Sequence, residues 1–401
     1  MMAAVLCCWW QCAGQVLHDE ALRADVKTVL LYGEAGELEA PLLTLGQGAR
    51  LVLEFDVLRT EPEELRWTIR HCDRHWQADG LEPQEFMTGF ESGMVERYDF
   101  SFTTLRDYVH YTALVPEGFA EFSHSGNYVV EVSDGEGQVL LRRRFCVSEQ
   151  TLKVEGRIGR PYDGVEIDRR QEVDVTVGNG QWAVEYLNVM VQQNGRWDNA
   201  RWLEFSGYDG GAMAYRYREN NIFAGGNTFR YFDCSNLRTP MYNVVRIEEY
   251  GGETFAILRP EEDRSRKHYL SETTLNGGMK VNIWDRNNPR LEADYVWVNF
   301  SLPMAQPMLE GSVYIVGALT DWRIDSTSRM EYNPRYKAYT KRMLLKQGYY
   351  SYQLLVDGGR SETARLEGDH RETPNQYTVY AYYRSPADRA DRLVGVGRVK
   401  N

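Results

Sequence analysis

The sequence predicts an all-β protein composed of tandem antiparallel β-sandwich domains. Apolar residues recur at every second position in nearly every ordered stretch of the chain, which is the period of a strand with one buried face. No stretch carries an apolar stripe of helical period over three turns. The length of 401 residues indicates two to four domains, since domains usually contain ~100–150 residues.

Strand-like alternation can be followed along the whole chain. In residues 51–57, apolar side chains occupy every odd position, and Glu and Asp lie between them. The Asp-Gly and Asn-Gly dipeptides at 134–135 and 194–195 are strong hairpin signals, so neighbouring strands are expected to be antiparallel. Residues 262–272 are the best helix candidate, although they have little apolar face. Further alternating stretches are residues 128–132, 139–147, 173–177, 187–191, 296–302 and 377–383.

Two turn-rich segments indicate where domains meet. Residues 148–156 follow a complete strand and mix polar residues with Gly, and residues 303–311 contain two prolines and end in Gly. Gly and Pro at such positions mark loops and links. We therefore expect a first β-sandwich domain at 20–148, a second β domain at 149–302 and a C-terminal β-sandwich domain at 303–401.

The overall charge restricts the classes of partner. The formal net charge is −12, from 46 Lys and Arg against 58 Asp and Glu. A negative field of this size opposes binding to nucleic acid and to an anionic membrane surface. We therefore expect no nucleic-acid partner and no direct membrane insertion.

The first fourteen residues are uncharged and mostly apolar. An apolar run of ~10 residues is too short to span a bilayer but suits the central region of a secretory signal peptide. The small residues Ala13 and Gly14 would permit cleavage near Gln15, although no basic residue precedes the run. The sequence predicts a signal peptide at 1–14 and an exported protein, with a buried N-terminal strand as the alternative.

Three of the six cysteines would leave with this signal peptide, so Cys72, Cys146 and Cys234 remain. An odd number argues against a disulfide framework, and a chain of this size does not need one. Three buried thiols are the favoured interpretation. A Cys72–Cys146 bridge within the first domain is the alternative.

No motif for phosphate, dinucleotide, zinc or nucleophilic-serine chemistry is present in the sequence. His71 and His75 are four residues apart, but they follow a strand-like run, where such side chains would lie ~13 Å apart. Carboxylates are abundant, yet nothing singles out a catalytic pair. The sequence therefore predicts a non-enzyme with no catalytic residue, metal or cofactor, and an envelope enzyme is only the third interpretation.

Residues 317–322, GALTDW, follow a predicted strand. They resemble the corner of the Ig-like glycogen- and starch-binding modules, in which an aromatic face stacks on sugar rings. We therefore expect the last domain to be Ig-like and similar to glycogen-binding modules. Trp322 is expected to pack over the end of the sandwich, and a carbohydrate platform at Trp322 is the alternative.

A series of segments in the C-terminal half resembles the type IX secretion system plug protein family. The resemblance covers about residues 25–400, follows the family's order and is most specific after residue 230. Pro374 departs from the family pattern, which more usually has an acidic residue there. The segments are residues 230–233, 237–238, 332–334, 345–353, 367–373, 375–384 and 391–395.

The resemblance implies a periplasmic protein at the inner face of the outer membrane. Such a protein would bind the outer-membrane translocon barrel of the type IX secretion system and close its periplasmic opening while no cargo shuttle occupies the barrel. A plug needs contact surfaces rather than an active site. A cell-envelope carbohydrate-binding protein that uses the C-terminal domain is the runner-up.

Seven residues are candidate interaction residues on this interpretation. An internal ion pair that pins a loop is the favoured alternative for the charged residues near 230. Alternation places two of the tyrosines on one face of a strand, where they are expected to belong largely to the core. The candidates are Arg230, Phe232, Asp233, Arg238, Trp322, Tyr350 and Tyr352.

Overall fold

The computed structural model describes residues 14–33, 36–178, 182–357 and 361–400. The predicted all-β class is confirmed, because 46% of the residues lie in strands of several antiparallel sheets and 6% lie in helices. The predicted signal peptide at 1–14 falls outside the described residues except for Gly14. Residues 262–272 are irregular rather than helical, because a short helix without an apolar face gains little from packing.

The first sandwich lies between residues 20 and 148. Its elements are β1 (Glu20–Ala21), β2 (Val26–Tyr32), β3 (Leu42–Thr44), β4 (Leu51–Val57), β5 (Leu65–Cys72), α1 (Pro83–Phe86), β6 (Met87–Thr88), β7 (Ser92–Met94), β8 (Arg97–Phe100), β9 (Val109–Val115), β10 (Glu121–Phe122), β11 (Gly126–Asp134) and β12 (Val139–Ser148). One sheet has the order β1-β12-β11-β5-β7 with β3 beside β12, and the other has the order β2-β4-β9-β8.

The apolar side chains that alternate along the sequence form the core of this sandwich. Phe55 of β4 stacks on Tyr111 of β9, with ring centroids 5.2 Å apart. The same cluster contains Trp67 and Tyr128 of the other sheet, and both are buried. Each sheet therefore contributes one apolar face to a shared interior.

The next strands begin a second sandwich. They are β13 (Val154–Gly159), β14 (Arg170–Val177), β15 (Leu187–Gln193), β16 (Arg201–Leu203), β17 (Gly207–Asp209), β18 (Ala212–Tyr215) and β19 (Ile222–Ala224), with short 3-10 helices at Val184–Tyr186 and Glu219–Asn221. β13, β14, β18 and β17 form one sheet, with β19 beside β14. Asn194 and Gly195, after β15, have φ values of 53° and 72°, the left-handed backbone to which this dipeptide is suited.

A third sandwich follows. Its elements are β20 (Arg230–Asp233), β21 (Val244–Tyr250), β22 (Glu253–Leu258), β23 (Met279–Val281), α2 (Pro289–Glu292), β24 (Tyr295–Pro303), β25 (Ser312–Val316), a 3-10 helix (Ala318–Thr320), β26 (Glu331–Asn333), β27 (Ala338–Lys346), β28 (Gly348–Asp357), β29 (Ser361–Glu362) and α3 (Ala364–Glu367). One sheet has the order β20-β28-β23 with β25 and β29 beside β28, and the other has the order β21-β22-β24-β27-β26.

The chain then returns to the second sandwich. The last strands, β30 (Gln376–Tyr383) and β31 (Arg392–Lys400), extend the sheet that β15 and β16 begin, in the order β16-β15-β30-β31. Val379 and Val394 share one apolar cluster with Val173 and Val189. The third sandwich is thus inserted between two parts of the second.

Strand pairing therefore departs from the predicted domains at 149–302 and 303–401. β24, which ends at Pro303, pairs along its whole length with β27, so residue 303 lies within one sheet rather than between two domains. Residues 303–311 form a connection inside the third sandwich. Pro and Gly mark a loop whether it joins two domains or two strands, and the pairing of β30 with β15 links residues far apart in sequence.

Candidate functional site

Arg230 lies in a buried ion-pair cluster inside the third sandwich. Its side chain is almost fully buried, its Nε donates to Glu367 Oε1 at 2.9 Å, and its Nη1 pairs with Glu261. Burial by itself would raise the pKa of Glu367, but Arg230 and Arg264 outweigh burial and lower it. The cluster fastens α3 and the segment around residue 261 to β20, as expected of an internal ion pair.

The partners of Arg230 are not the charged residues nearest to it in sequence. Asp233 is half-buried and accepts a hydrogen bond from the backbone N–H of Ser235 at 2.8 Å. Arg238 is exposed, and its Nη2 lies 3.3 Å from Asp285 Oδ2. The structure therefore does not bring Arg230, Asp233 and Arg238 together at one site.

The three aromatic candidates of the third sandwich form part of its core. Phe232 stacks on Tyr350 with ring centroids 5.1 Å apart, and Tyr352 meets Phe300 edge-on at 5.3 Å. Phe232, Tyr350 and Tyr352 are all buried. Their side chains could reach a partner only if this core opened.

Trp322 lies where the second and third sandwiches meet. The guanidinium of Arg196 lies 5.6 Å from the centre of the Trp322 ring, and Phe229 meets the ring edge-on at 6.1 Å. Gly277 is so close that a Cβ there would come within 2.3 Å of Trp322 Cη2. Trp322 is half-buried, and these contacts favour packing over a sugar platform, which would need an open ring face.

The first and third sandwiches are joined by a buried polar cluster. Lys346 Nζ of β27 lies 2.6 Å from Asp56 Oδ2 of β4, and the Tyr295 hydroxyl donates to the same oxygen at 2.6 Å. His110 Nδ1 lies 2.7 Å from the other oxygen of Asp56. Burial alone would raise the pKa of Asp56, but Lys346 and His110 outweigh it and lower the pKa.

The first and second sandwiches are joined in a similar way. Arg74 Nη1 lies 2.6 Å from Asp391 Oδ1, and the Tyr382 hydroxyl donates to Asn127 Oδ1 at 2.8 Å. The guanidinium of Arg144 lies over the rings of Trp76 and Trp197 at 5.1 and 5.3 Å. One apolar cluster also spans both sandwiches, with Leu17, Cys72, Trp76, Val129, Cys146, Met190, Tyr380, Tyr382 and Leu393 as its buried members.

The three cysteines among the described residues, Cys72, Cys146 and Cys234, are buried free thiols. Cys72 of β5 and Cys146 of β12 both pair in register with Asn127 of β11, which runs between them. Strands lie ~4.8 Å apart, so the two Cα atoms are ~10 Å apart, whereas a disulfide needs a separation below ~7 Å. Burial raises the pKa of Cys234 to about 12 and raises the pKa of Cys72 and Cys146 as well, so all three are poor nucleophiles.

The two histidines considered as metal ligands have separate environments. His71 is buried, and its Nδ1 lies 2.6 Å from Asp79 Oδ2. His75 is exposed, with its ring 5.3 Å from that of Trp202. In the part of the chain that the structure describes, no group of three or more His, Cys, Asp or Glu side chains could hold a metal ion.

An exposed apolar surface on the first sandwich was not found by sequence reasoning. Phe119 is fully exposed, at 102%, and Phe90 is exposed at 81%. Large apolar side chains are usually buried, and their contiguous exposure marks interaction surfaces. The sequence carries one signal for them, because each Phe directly follows a Gly, at Gly89-Phe90 and Gly118-Phe119. Other exposed apolar residues of this sandwich are Met94, Tyr98, Phe100, Phe102 and Leu105.

The described residues form three joined β-sandwiches. Among them, no helix has the length and apolar character needed to cross a bilayer. The exposed phenylalanines of the first sandwich are a surface suited to macromolecular contact.

Comparison with known proteins agrees with a plug-type protein. Residues 26–149 match the family model described as type 9 secretion system plug protein 1st domain. This match confirms the resemblance to the type IX secretion system plug family, and it covers the first sandwich. Residues 26–149 are therefore similar to a plug-protein first domain.

The fold is also shared with a solved structure. The crystal structure of a hypothetical protein from Parabacteroides merdae, at 2.30 Å resolution, is similar with a TM-score of 0.93 and 28% sequence identity. The similarity covers 96% of this chain and 100% of that one. No curated protein matches the chain.

Proposed function

We propose that this protein is a non-catalytic periplasmic plug. It binds the outer-membrane translocon barrel of the type IX secretion system from the inner face of the membrane and closes the barrel's periplasmic opening. The observation that carries this proposal is the match of residues 26–149 to the plug-protein first domain. The ordered motifs after residue 230 extend the same interpretation to the rest of the chain.

The joints between the sandwiches support this role. Domains of one chain move relative to each other by default, unless their interface is large or strongly bonded. Here a buried ion pair, Asp56–Lys346, fixes the first sandwich to the third, and a partly buried one, Arg74–Asp391, fixes it to the second. A plug has to keep its shape across a wide opening, and such joints suit that requirement.

The charge of the protein indicates what its binding surface on the translocon should be like. With a formal net charge of −12, the protein would be attracted to a basic periplasmic mouth and repelled from an acidic one. Association should therefore become slower as the ionic strength rises, because salt screens this attraction.

Deletion of the gene tests the proposal. The translocon should remain assembled but open whenever its shuttle is absent, so the outer membrane should admit a large hydrophilic antibiotic. Secretion should fall only modestly, since closing an idle channel differs from driving cargo. Re-expression of the wild-type chain provides the control, and it should restore the permeability barrier.

Purification of the tagged protein from envelopes gives the second measurement. The barrel should co-purify, and less of the plug should be found on translocons that carry a shuttle, because each state of the barrel would favour one partner. If no barrel co-purifies and the deletion strain is as impermeable as its parent, the proposal is wrong.

A further inference from the structure

Two exposed phenylalanines lie on neighbouring turns at one end of the first sandwich, Phe90 at 81% and Phe119 at 102% exposure. β6 and β10 pair in antiparallel register, with Thr88 opposite Glu121. Phe90 follows the end of β6 by two residues and Phe119 precedes the start of β10 by two, so both leave the paired strands at the same end. A Cβ on Gly89 would come within 2.9 Å of Ala120 Cβ, so the two backbones are in contact where the residues emerge. We call Phe90 and Phe119 the phenylalanine tip.

The backbone beneath the tip is well anchored. Phe86, Met87 and Ala120 are buried in the first sandwich, and the backbone N–H of Ser123 donates to the Phe86 carbonyl at 2.8 Å. The guanidinium of Arg50 donates to the Gly118 carbonyl. A rigid, preformed apolar projection loses little conformational entropy on binding, which favours affinity.

The tip lies far from the joint with the third sandwich. β9 runs Val109–Val115, with His110 in the Asp56–Lys346 cluster at one end and the turn that leads to Phe119 at the other. At ~3.3 Å per residue, these ends are ~20 Å apart. The tip therefore projects from the end of the first sandwich remote from the Asp56–Lys346 joint, and its two rings contribute little buried surface to the fold.

The charges around the tip indicate what covers it. Glu117 and Glu121 are exposed and Glu91 is half-exposed. Arg50, whose guanidinium donates to the Gly118 carbonyl, adds one positive charge against these three carboxylates. An acidic rim repels anionic lipid headgroups, and it repels the equally acidic rim of a second copy of this chain. A protein pocket with an apolar floor and a basic rim would satisfy both the rings and the carboxylates.

We propose that the phenylalanine tip is the anchor with which this protein docks on the translocon, by inserting both rings into an apolar, basic-rimmed pocket at the periplasmic mouth. This inference rests on the proposed plug function and identifies the surface responsible for it. It also places the anchor within the domain that matches the plug family, because both phenylalanines fall inside residues 26–149.

The test compares two double variants of the full mature chain. Phe90→Ser with Phe119→Ser removes the tip. Tyr250→Ser with Leu309→Ser removes two apolar side chains of the third sandwich that are equally exposed, at 82% and 102%. Because all four side chains lie in solvent, both variants should keep the thermal unfolding temperature of the wild type.

Capture of the giant barrel from detergent-solubilised outer membranes, identified by mass spectrometry and titrated, is the readout. The tip variant should bind about a hundredfold more weakly, about tenfold for each anchoring ring, and the control variant should bind like the wild type. Glu117→Lys with Glu121→Lys should also weaken capture and should reduce its dependence on salt.

Each alternative has its own outcome. Equal capture by the tip variant and the wild type would overturn the anchor while leaving the plug function standing, whereas absence of capture by the wild type would overturn both. Binding of the wild type to protein-free phospholipid vesicles that depends on the two phenylalanines would assign the tip to a lipid surface instead. A concentration-dependent dimer lost in the tip variant would assign it to a second copy of the chain.

Discussion

Asp56 and Lys346 form a buried ion pair between the first and third sandwiches, with 2.6 Å between Oδ2 and Nζ. Both side chains are almost completely buried, at 1% and 2% exposure. Tyr295 and His110 satisfy the remaining capacity of the carboxylate, and the Arg290 carbonyl accepts a second bond from Nζ at 2.6 Å. The pair therefore contributes to the joint as part of a buried hydrogen-bonded network that also contains Tyr295 and His110.

Replacing Lys346 by Met should destabilise the protein by about 3–5 kcal/mol, because it leaves a buried carboxylate without its cation. Urea unfolding, followed by tryptophan fluorescence, measures this loss. Arg238→Met is the matched control, since it removes a cation from the exposed pair with Asp285 and should cost at most about 1 kcal/mol. Equal effects of the two substitutions would show that the joint does not depend on the buried pair.

The strands could be predicted because their alternation is local. A buried face is indicated within a few residues of sequence, for example by Leu53 and Phe55 in β4 and by Val189 and Val191 in β15. What alternation does not specify is the partner strand. β15 pairs with β30, nearly two hundred residues later in the chain, and no local pattern distinguishes that pairing from one within a C-terminal domain.

The candidate site was harder to predict for the same reason. Arg230 is buried because Glu261 and Glu367 reach it from positions 31 and 137 residues away, whereas the charged residues near it in sequence lie elsewhere. The exposure of Phe90 and Phe119 was not predicted, because phenylalanine is usually buried and is expected in the core when only the sequence is known. Their exposure follows from turns whose position is set by the packing of Phe86 and Ala120 beneath them.

The three cysteines should remain reduced in a chain that begins at Gln15. Denatured protein should yield three titratable thiols, and the native protein should react with iodoacetamide only as fast as it opens, because burial raises each thiol pKa. A reducing agent should leave the melting temperature unchanged. One thiol in place of three after denaturation would establish a bridge and contradict the strand register of Cys72 and Cys146.

Trp322→Ala should destabilise the protein by about 1–3 kcal/mol, because the ring is half-buried and packed on its neighbours. The reason is the loss of contacts with Arg196, Phe229 and Gly277. The control is Trp284→Ala, since Trp284 is 67% exposed and its truncation should change stability by about 0.5 kcal/mol or less. Retention of the wild type on a glycogen column, lost in a folded Trp322→Ala variant with unchanged stability, would favour the carbohydrate interpretation.

Asp369 should make the protein less stable as the pH rises through the mildly acidic range. Burial raises the pKa of Asp369 from 3.8 to about 6, although the N–H of Gly226, which donates to its Oδ1 at 2.6 Å, opposes the shift. Between pH 3.8 and about pH 6, the folded state thus binds more protons at this group than the unfolded state, so its contribution to stability falls as pH increases. Asp369→Asn keeps an oxygen acceptor for Gly226, carries no charge, and should remove this slope.

The pH dependence of stability expected from Glu367 has the opposite sign to that expected from Asp369. Its pKa is lowered from 4.5 by Arg230 and Arg264, which outweigh burial, so its contribution is complete above pH 4.5 and is lost as the pH falls through the lowered value. Glu367→Gln should therefore lower the free energy of unfolding by about 3–5 kcal/mol near neutral pH, because it leaves buried guanidinium groups without their carboxylate. The loss should become progressively smaller in acid. Urea unfolding over a series of pH values measures both variants. If Asp369→Asn kept the pH dependence of the wild type, or if the loss in Glu367→Gln did not shrink in acid, the assignment of these slopes to the two carboxyls would be wrong.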